Sequence, residues 1–346
     1  MNIALRVKLV LMLLCTSSLA LAGQTYNIVT GSENGTYVRI GNDLAKYVAG
    51  SADIDLQVLP SNGSIENIKR LRDEKGTKFS LIQSDVYQAF KDQATDGNTE
   101  AARIIQPLRV IVPLYDEEVY FIVRADSTLD SIHDIQDKKI NIGPLGSGAA
   151  MTSTTLYRLM FGTSIPERNV TMLSHENALI RLAKEKDLDV VVVVGGQPST
   201  ILTGMEPGVE KLFKLLKLDE SNPATKRAMA VYKKAAIKSS IYPGWLTTDL
   251  PCFSVTTFLV TYDYNMKSTK DSLVRFAKSL CDNFSILQKD GHPKWRQVSL
   301  QLPVLSKGWS YYSPTEQELG KCRTLRPKQA RPCALQEKVM GFCTDE

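Results

Sequence analysis

The sequence YNIVTGSENGTY occupies residues 26–37, where an extended apolar run stops at small polar residues and a helix pattern follows. The same order recurs three times further along the chain. Apolar runs at 56–59, 139–142 and 190–194 precede polar clusters at 61–64, 146–148 and 195–200. Strands that alternate with helices in this way predict an α/β protein.

The polar clusters stand where helices are expected to start. A helix start presents unpaired backbone N–H groups and the positive end of the helix dipole, and small residues let a ligand approach them closely. Open α/β sheets also bind ligands at the carboxyl ends of their strands. Taken singly, each cluster is explained as well by a helix cap or a tight turn. Together, the four clusters predict a cleft that holds an anion.

The first 22 residues have the features of a secretory signal peptide. Arg6 and Lys8 precede an apolar run at 9–14, and Ala20-Leu21-Ala22 closes the segment. The apolar run is shorter than the ~20 residues that a membrane span requires. We expect cleavage after Ala22 and a soluble protein in the periplasm.

Length and charge restrict the class of protein. The 346-residue chain without its leader is long enough for two lobes at about 150 residues per domain. Its formal net charge of +5 becomes +3 when Arg6 and Lys8 are removed. This small net positive charge does not indicate a nucleic-acid partner. We expect a monomer.

Five cysteines follow the leader: Cys252, Cys281, Cys322, Cys333 and Cys343. Cysteines pair in an oxidising compartment, and the segment beyond 320 is too rich in Lys, Arg and Pro to build a core of its own. One or two disulfides are therefore expected there, with their pairing open. An odd count leaves one thiol over, for which the apolar surroundings favour Cys252. The spacing lacks the close cysteine pair of a zinc site.

Two strand-like runs predict a crossing between the lobes. They lie at 109–114 and 119–123, with residues 115–118 as a connection, and a run at 253–260 predicts the return crossing. Helices are predicted at 36–49, 147–160 and 271–287 from their apolar spacing. The continuous apolar run at 190–194 predicts a strand that is buried on both faces.

The sequence gives little support for catalysis. Gly146-Ser147-Gly148 lacks the residues that separate Gly from Ser in a serine-hydrolase elbow, and the three histidines form no triad-like pattern. P-loop, dinucleotide and zincin signatures are missing from the sequence as well. We expect no enzymatic activity, no cofactor and no metal. Hydroxyl and amide side chains instead suit ligand binding by hydrogen bonds.

The order of the motifs carries a family resemblance. The motifs lie at 31–37, 61–67, 83–85, 115–124, 141–148 and 242–244. This set, spread over about residues 26–295, resembles the TAXI family of extracytoplasmic solute receptors, which serve one branch of the TRAP transporters. The resemblance implies a type II periplasmic-binding-protein fold, in which two α/β lobes joined by crossing strands enclose a ligand cleft. It also implies a small carboxylate ligand, such as glutamate or 2-oxoglutarate, and a sodium-driven TRAP permease as partner.

The resemblance assigns ligand-binding residues position by position. Those of the first lobe are Ser32, Gly35, Tyr37, Ser61, Asn62, Ser64, Gln83, Ser84 and Asp85. Those of the second lobe are Gly146, Ser147, Gly148, Gly196, Gln197, Pro198 and Tyr242. Of these, the Gly-Ser-Gly run at the start of a helix is expected to hold a ligand carboxylate.

The implied domain limits are residues 23–118 for the first part of lobe 1, 119–252 for lobe 2, 253–306 for the return to lobe 1, and 307–346 for a cysteine-containing extension.

Glu33 departs from the family pattern, so either it points away from the cleft or the ligand carries a positive group, as an amino acid does. A second class of function stays open: the same fold could act as a sensor or an immunogenic surface protein without a transport role.

Overall fold

The computed structural model describes residues 23–322, and its strands form one mixed sheet that extends through two lobes. The predicted signal peptide lies outside the described residues, as do Cys333 and Cys343. Within the described part, the strands are β1 Gln24–Val29, β2 Ile54–Leu59, β3 Thr77–Gln83, β4 Leu108–Arg124, β5 Ile140–Asn141, β6 Val170–Thr171, β7 Val190–Gly195, β8 Phe213–Leu215, β9 Lys233–Ile237 and β10 Leu250–Tyr262.

Helices follow most of the strands, as the sequence pattern predicts. They are α1 Thr36–Leu44, α2 Ser64–Asp73, α3 Ser84–Thr95, α4 Thr99–Ile105, α5 Gly148–Phe161, α6 His175–Ile180, α7 Thr200–Thr203, α8 Pro223–Ala228, α9 Lys267–Asp282, α10 Phe284–Asp290 and α11 Ser313–Lys321. A π-helical turn, Ala45–Ala49, continues α1, and a 3-10 turn, Pro293–Gln297, follows α10.

The strand order shows how the lobes are joined. It is β2-β1-β3-β10-β4-β7-β5-β6, with β8 beside β4 and β9 beside β10. The outer strands pair in parallel, β1 with β2 and β3, and β5 with β6 and β7. The central strands β10 and β4 run antiparallel to each other and to their outer neighbours β3 and β7. A parallel group in each lobe is thus connected through an antiparallel centre.

The two crossing strands are long and continuous. β4 has 17 residues and β10 has 13. The predicted connection at 115–118 is wrong, because Glu117 pairs with Val255 and Glu118 with Ser254 inside the ladder. Acidic residues disfavour strands on propensity alone, but here buried hydrogen-bond partners accommodate both carboxyl groups.

Each lobe has its own apolar core. In the first lobe, α1 and α9 pack on one face of the sheet, with Ile40 and Phe276 fully buried, and α2, α3 and α4 cover the other face. In the second lobe, α5 and α8 pack on one face and α6 on the other. The buried valines of β7 confirm that this strand is covered on both faces.

The predicted helix at 271–287 is interrupted. α9 ends at Asp282 and α10 begins at Phe284, because Asn283 leaves the helical conformation and its Nδ2 donates to Ser279 O at 3.0 Å. An asparagine that bonds to the local backbone in this way competes with the helix ladder.

A disulfide joins Cys281 in α9 to Cys322 just after α11, with a Cα separation of 5.7 Å. It attaches the beginning of the predicted extension to the first lobe. Cys252 is buried and unpaired, as predicted. Within residues 23–322, none of the helices combines the length and the apolar character that crossing a membrane would need. The predicted fold class, a two-lobed α/β architecture of the periplasmic-binding-protein kind, is confirmed.

Candidate ligand-binding site

A cavity of about 190 Å³ lies between the two lobes, at the carboxyl ends of strands from both of them. The predicted ligand-binding residues that line it are Ser32, Gly35, Tyr37, Ser61, Asn62, Ser64, Gln83, Ser147 and Gly148. The other residues that line it are Gly31, Asn34, Thr36, Gly63, Glu117, Pro144, Ala149, Ser174, His175, Glu176, Val193, Val194, Gly195, Ser199, Thr200 and Ile201.

The start of α2 forms the wall on the side of the first lobe. Gly63 turns the chain into this helix with φ +124°, a conformation that glycine adopts without strain. Ser61 Oγ donates to Asn67 Oδ1 at 2.5 Å, which holds the turn against the helix. Ser64 Oγ accepts a hydrogen bond from Gln83 N at 3.1 Å and so connects α2 to the end of β3.

The start of α5 forms the opposite wall. Ser147 is the N-cap residue, and its Oγ accepts a hydrogen bond from Ala150 N at 3.0 Å. Gly148 is the first helical residue, and a Cβ placed on it would lie only 1.7 Å from Gln83 Oε1. A side chain at this position would therefore displace the Gln83 side chain of the opposite lobe.

The floor of the cavity is the carboxyl group of Glu117, in the middle of β4. Tyr37 OH donates to Glu117 Oε2 at 3.0 Å, and Gln83 Nε2 donates to the same oxygen at 3.1 Å. The Glu117 residue is 3% exposed, and its desolvation raises the pKa of the carboxyl group to about 7 despite both donors. Near neutral pH, this group therefore exists in both its charged and its neutral form.

Hydrogen bonds join the lobes around the cavity. Glu66 N, in α2, donates to Gly146 O in the second lobe at 3.0 Å. Thr36 Oγ1, at the start of α1, donates to Gly196 O at 3.3 Å. Gly146 and Gly196, both predicted to contact the ligand, thus contact the opposite lobe and lie outside the set of residues that line the cavity.

The charged residues that line the site are acidic. Glu117 and Glu176 line the cavity, whereas no lysine or arginine is among its described lining residues. Lys294, on the 3-10 turn, is buried and donates from Nζ to Glu118 Oε1 at 2.6 Å, so its charge is paired on β4. Glu33 is exposed and is not a lining residue, which settles the question of its direction.

The sequence profile of the NMT1-like family matches residues 28–307, a range that includes both walls and the floor of the cavity. The chain belongs to the NMT1-like family. The match does not distinguish the TAXI receptors, so that finer assignment stays a prediction.

This NMT1-like protein is also similar to several solved structures. XAC2383 from Xanthomonas citri, bound to ATP, is 11% identical with a TM-score of 0.47, over 88% of this chain and 100% of that one. The periplasmic binding protein BugD is 12% identical with a TM-score of 0.47, over 87% and 96%. The alkanesulfonate-binding protein SsuA from Xanthomonas axonopodis pv. citri, bound to MOPS, is 13% identical with a TM-score of 0.44, over 86% and 83%. Similarities of this size do not identify a ligand.

In this NMT1-like protein, Asp85 lies outside the residues that line the cavity. Its Oδ2 accepts hydrogen bonds from Thr152 Oγ1 at 2.7 Å and from Tyr232 OH at 2.8 Å, both in the second lobe. Desolvation raises the pKa of the Asp85 carboxyl group. Asp85 therefore holds the lobes together. Its neighbour Ser84 lines a separate cavity.

The turn between β7 and α7 contains the remaining predicted residues. Gln197 Nε2 donates to Ala236 O in β9 at 3.0 Å. Gln197 Oε1 accepts a hydrogen bond from Lys238 N, just after β9, at 2.7 Å. Tyr242 OH accepts a hydrogen bond from Ser199 N at 2.7 Å. Together with Pro198, these side chains shape the turn and are not among the lining residues.

Sequence reasoning missed Glu117, His175 and Thr200 as lining residues of this NMT1-like site. Burial holds the pKa of His175 below its usual value, which keeps its ring neutral. A signal for Glu117 was present, because two consecutive acids in an otherwise apolar strand need buried partners. Thr200 ends the polar cluster at 195–200, whereas His175 offered no such signal.

Proposed function

We propose that this protein is an extracytoplasmic solute receptor that captures a small carboxylate between its lobes and delivers it to a sodium-coupled TRAP permease. The observation that carries the proposal is the polar cavity at which the starts of α2 and α5 face each other. The delivery step rests on the resemblance to the TAXI family.

Recognition of the carboxylate is assigned to backbone N–H groups and hydroxyl groups. The first N–H groups of α5 have no partner inside the helix, and the helix dipole favours an anion there. Ser147 caps this helix, and Ser64 stands at the start of the facing one. Since the described lining residues include no lysine or arginine, hydrogen bonds replace an ion pair.

The ligand is expected to be small. The cavity of about 190 Å³ is below the roughly 300 Å³ at which pockets for drug-sized ligands begin. Solutes of the size of glutamate or 2-oxoglutarate suit such a volume. The lobes already touch around the cavity, as they would around a captured ligand.

Titration calorimetry of the exported protein with a panel of small carboxylates tests this function. We expect at least one member to bind with a 1:1 stoichiometry. Gly148→Ala should weaken that binding by about tenfold or more, which is roughly 1.4 kcal/mol, because the added Cβ displaces the Gln83 side chain from its place in the cavity wall.

Gly50→Ala is the matched control, because a Cβ on Gly50 meets no atom within 4 Å and its backbone is helical. This variant should bind like the wild type. If no carboxylate binds, or if both variants bind equally well, the proposal is wrong. For the delivery step, we expect the purified receptor to support sodium-dependent uptake by a TRAP permease encoded beside its gene.

A further inference from the structure

We infer that the ligand carries an ammonium group as well as a carboxylate, and that Glu117 and Gln83 select for it. This inference rests on the proposed function, since it concerns the same cavity. It narrows the ligand from a small carboxylate to a zwitterion with an amino group on the carbon beside the carboxyl group.

Two buried acceptors at the floor of the cavity carry the inference. Gln83 is 3% exposed, and its Oε1 has no hydrogen-bond partner among the described residues. In the structure, Nε2 of this amide donates to Glu117 Oε2 at 3.1 Å, and Oε1 faces the start of α5. An unpaired buried acceptor is costly, and a donor on the ligand removes that cost.

The spacing suits one end of an amino acid. A single side chain, Gln83, contacts Glu117 with its nitrogen and lies against Gly148 with its oxygen. The acceptors for an ammonium group and the N–H groups for a carboxylate are thus separated by about one amide group. On an α-amino acid, the amino group and the carboxylate are attached to the same carbon, so they are also a short distance apart.

The charges favour the same ligand. A plain dicarboxylate would bring two negative charges to a cavity whose described lining residues include Glu117 and Glu176 but no lysine or arginine. Lys294 cannot serve as a counter-ion, because its Nζ is bonded to Glu118 Oε1 and to Asp116 O. An ammonium group on the ligand supplies the positive charge that the protein does not.

Protonation of Glu117 should be coupled to binding. The groups around it are Tyr37 from α1, Tyr115 from β4, Gln83 from β3 and the paired Lys294 from the 3-10 turn. Burial raises the pKa of both tyrosines well above the ordinary value, and His175 stays neutral. Glu117 is therefore the group that changes charge near neutral pH, and an ammonium ligand releases its proton.

Calorimetry with matched pairs tests the inference. The pairs are L-alanine with pyruvate and L-glutamate with 2-oxoglutarate, which differ in the amino group. We expect the wild type to bind the amino member of at least one pair about tenfold or more tightly than the keto member. Glu117→Gln should lose this preference, whereas Glu33→Gln, which removes an exposed acid outside the cavity, should keep it.

A second measurement uses only the wild type, so its result does not depend on whether a variant folds. Titration of the wild type at pH 7 in two buffers of different ionisation enthalpy should report proton release with the amino member. Equal or tighter binding of the keto members, or an unchanged preference in Glu117→Gln, would overturn the inference and leave the proposed receptor function standing. If neither member of either pair binds, and the wider carboxylate panel also fails, the proposed function itself is wrong.

Discussion

Glu117 is held by donors from two different elements, Tyr37 of α1 and Gln83 of β3, and yet its desolvation is only partly offset. A buried carboxyl group in this position is expensive for the fold when it is charged. Its presence at the floor of the cavity therefore has a measurable effect on stability.

Glu117→Gln is expected to change how stability depends on pH. The folded-state pKa of about 7 lies above the ordinary value of 4.5, so between these values the folded protein holds a proton that the unfolded chain releases. The resulting stabilisation is complete below pH 4.5 and is lost as the pH rises to about 7, by about 3 kcal/mol. Urea unfolding at several pH values between 4.5 and 8 should show a larger loss in the wild type than in the variant, which keeps the contribution of Asp85.

Glu33→Gln serves as the control for this measurement, because Glu33 is exposed. It should show the same pH dependence as the wild type. Identical slopes for the wild type and Glu117→Gln would mean that the carboxyl group is hydrated in solution, contrary to its buried environment.

At the scale of elements, the starts of α2 and α5 could be predicted from the sequence. Small polar residues directly after an apolar run permit both a tight turn and a helix cap, and Ser147 acts as such a cap. The role of Glu117 could not be predicted, because the direction of its side chain depends on the pairing of β4 with β10, more than 130 residues away in the chain. The same long-range pairing explains why residues 115–118 are strand.

The packing of α9 against α11 depends partly on the Cys281–Cys322 disulfide. This bond closes a loop with a sequence separation of 41 residues, so its removal should lower the free energy of unfolding by about 2–4 kcal/mol. The measurement is guanidinium unfolding of the wild type and of a Cys281→Ser/Cys322→Ser variant without reductant. Ligand affinity should stay unchanged, since neither residue lines the cavity. Equal unfolding midpoints would contradict the prediction.

At the scale of the whole molecule, the lobes touch at the mouth of the cavity and are joined through β4 and β10. Besides the contacts from α1 and α2, Thr200 Oγ1 reaches Asn34 O across the mouth. These contacts are polar, as are those of Asp85 with Thr152 and Tyr232, whereas the crossing strands are continuous through both lobes. Hinge motion about these strands is the expected response to a ligand.

Small-angle X-ray scattering should detect this motion. We expect the radius of gyration of the ligand-free protein to fall when a saturating ligand is added, because binding closes the lobes. With the same ligand, Gly148→Ala should keep a larger radius of gyration than the wild type, since its added Cβ meets the Gln83 and Ser64 side chains of the opposite lobe. An unchanged radius of gyration in the wild type would indicate that the lobes stay together without ligand.

The position of β10 between β3 and β4 also affects the order in which the chain can fold as it is synthesised. The sheet of the first lobe lacks a central strand until residues 250–262 are available, and its core lacks α9 until residues 267–282 follow. Most of the second lobe, by contrast, lies in the sequence between β4 and β10, so it is synthesised before β10. The lobe that begins first is therefore expected to be completed last, and its unpaired strand edges would need protection from aggregation in the meantime.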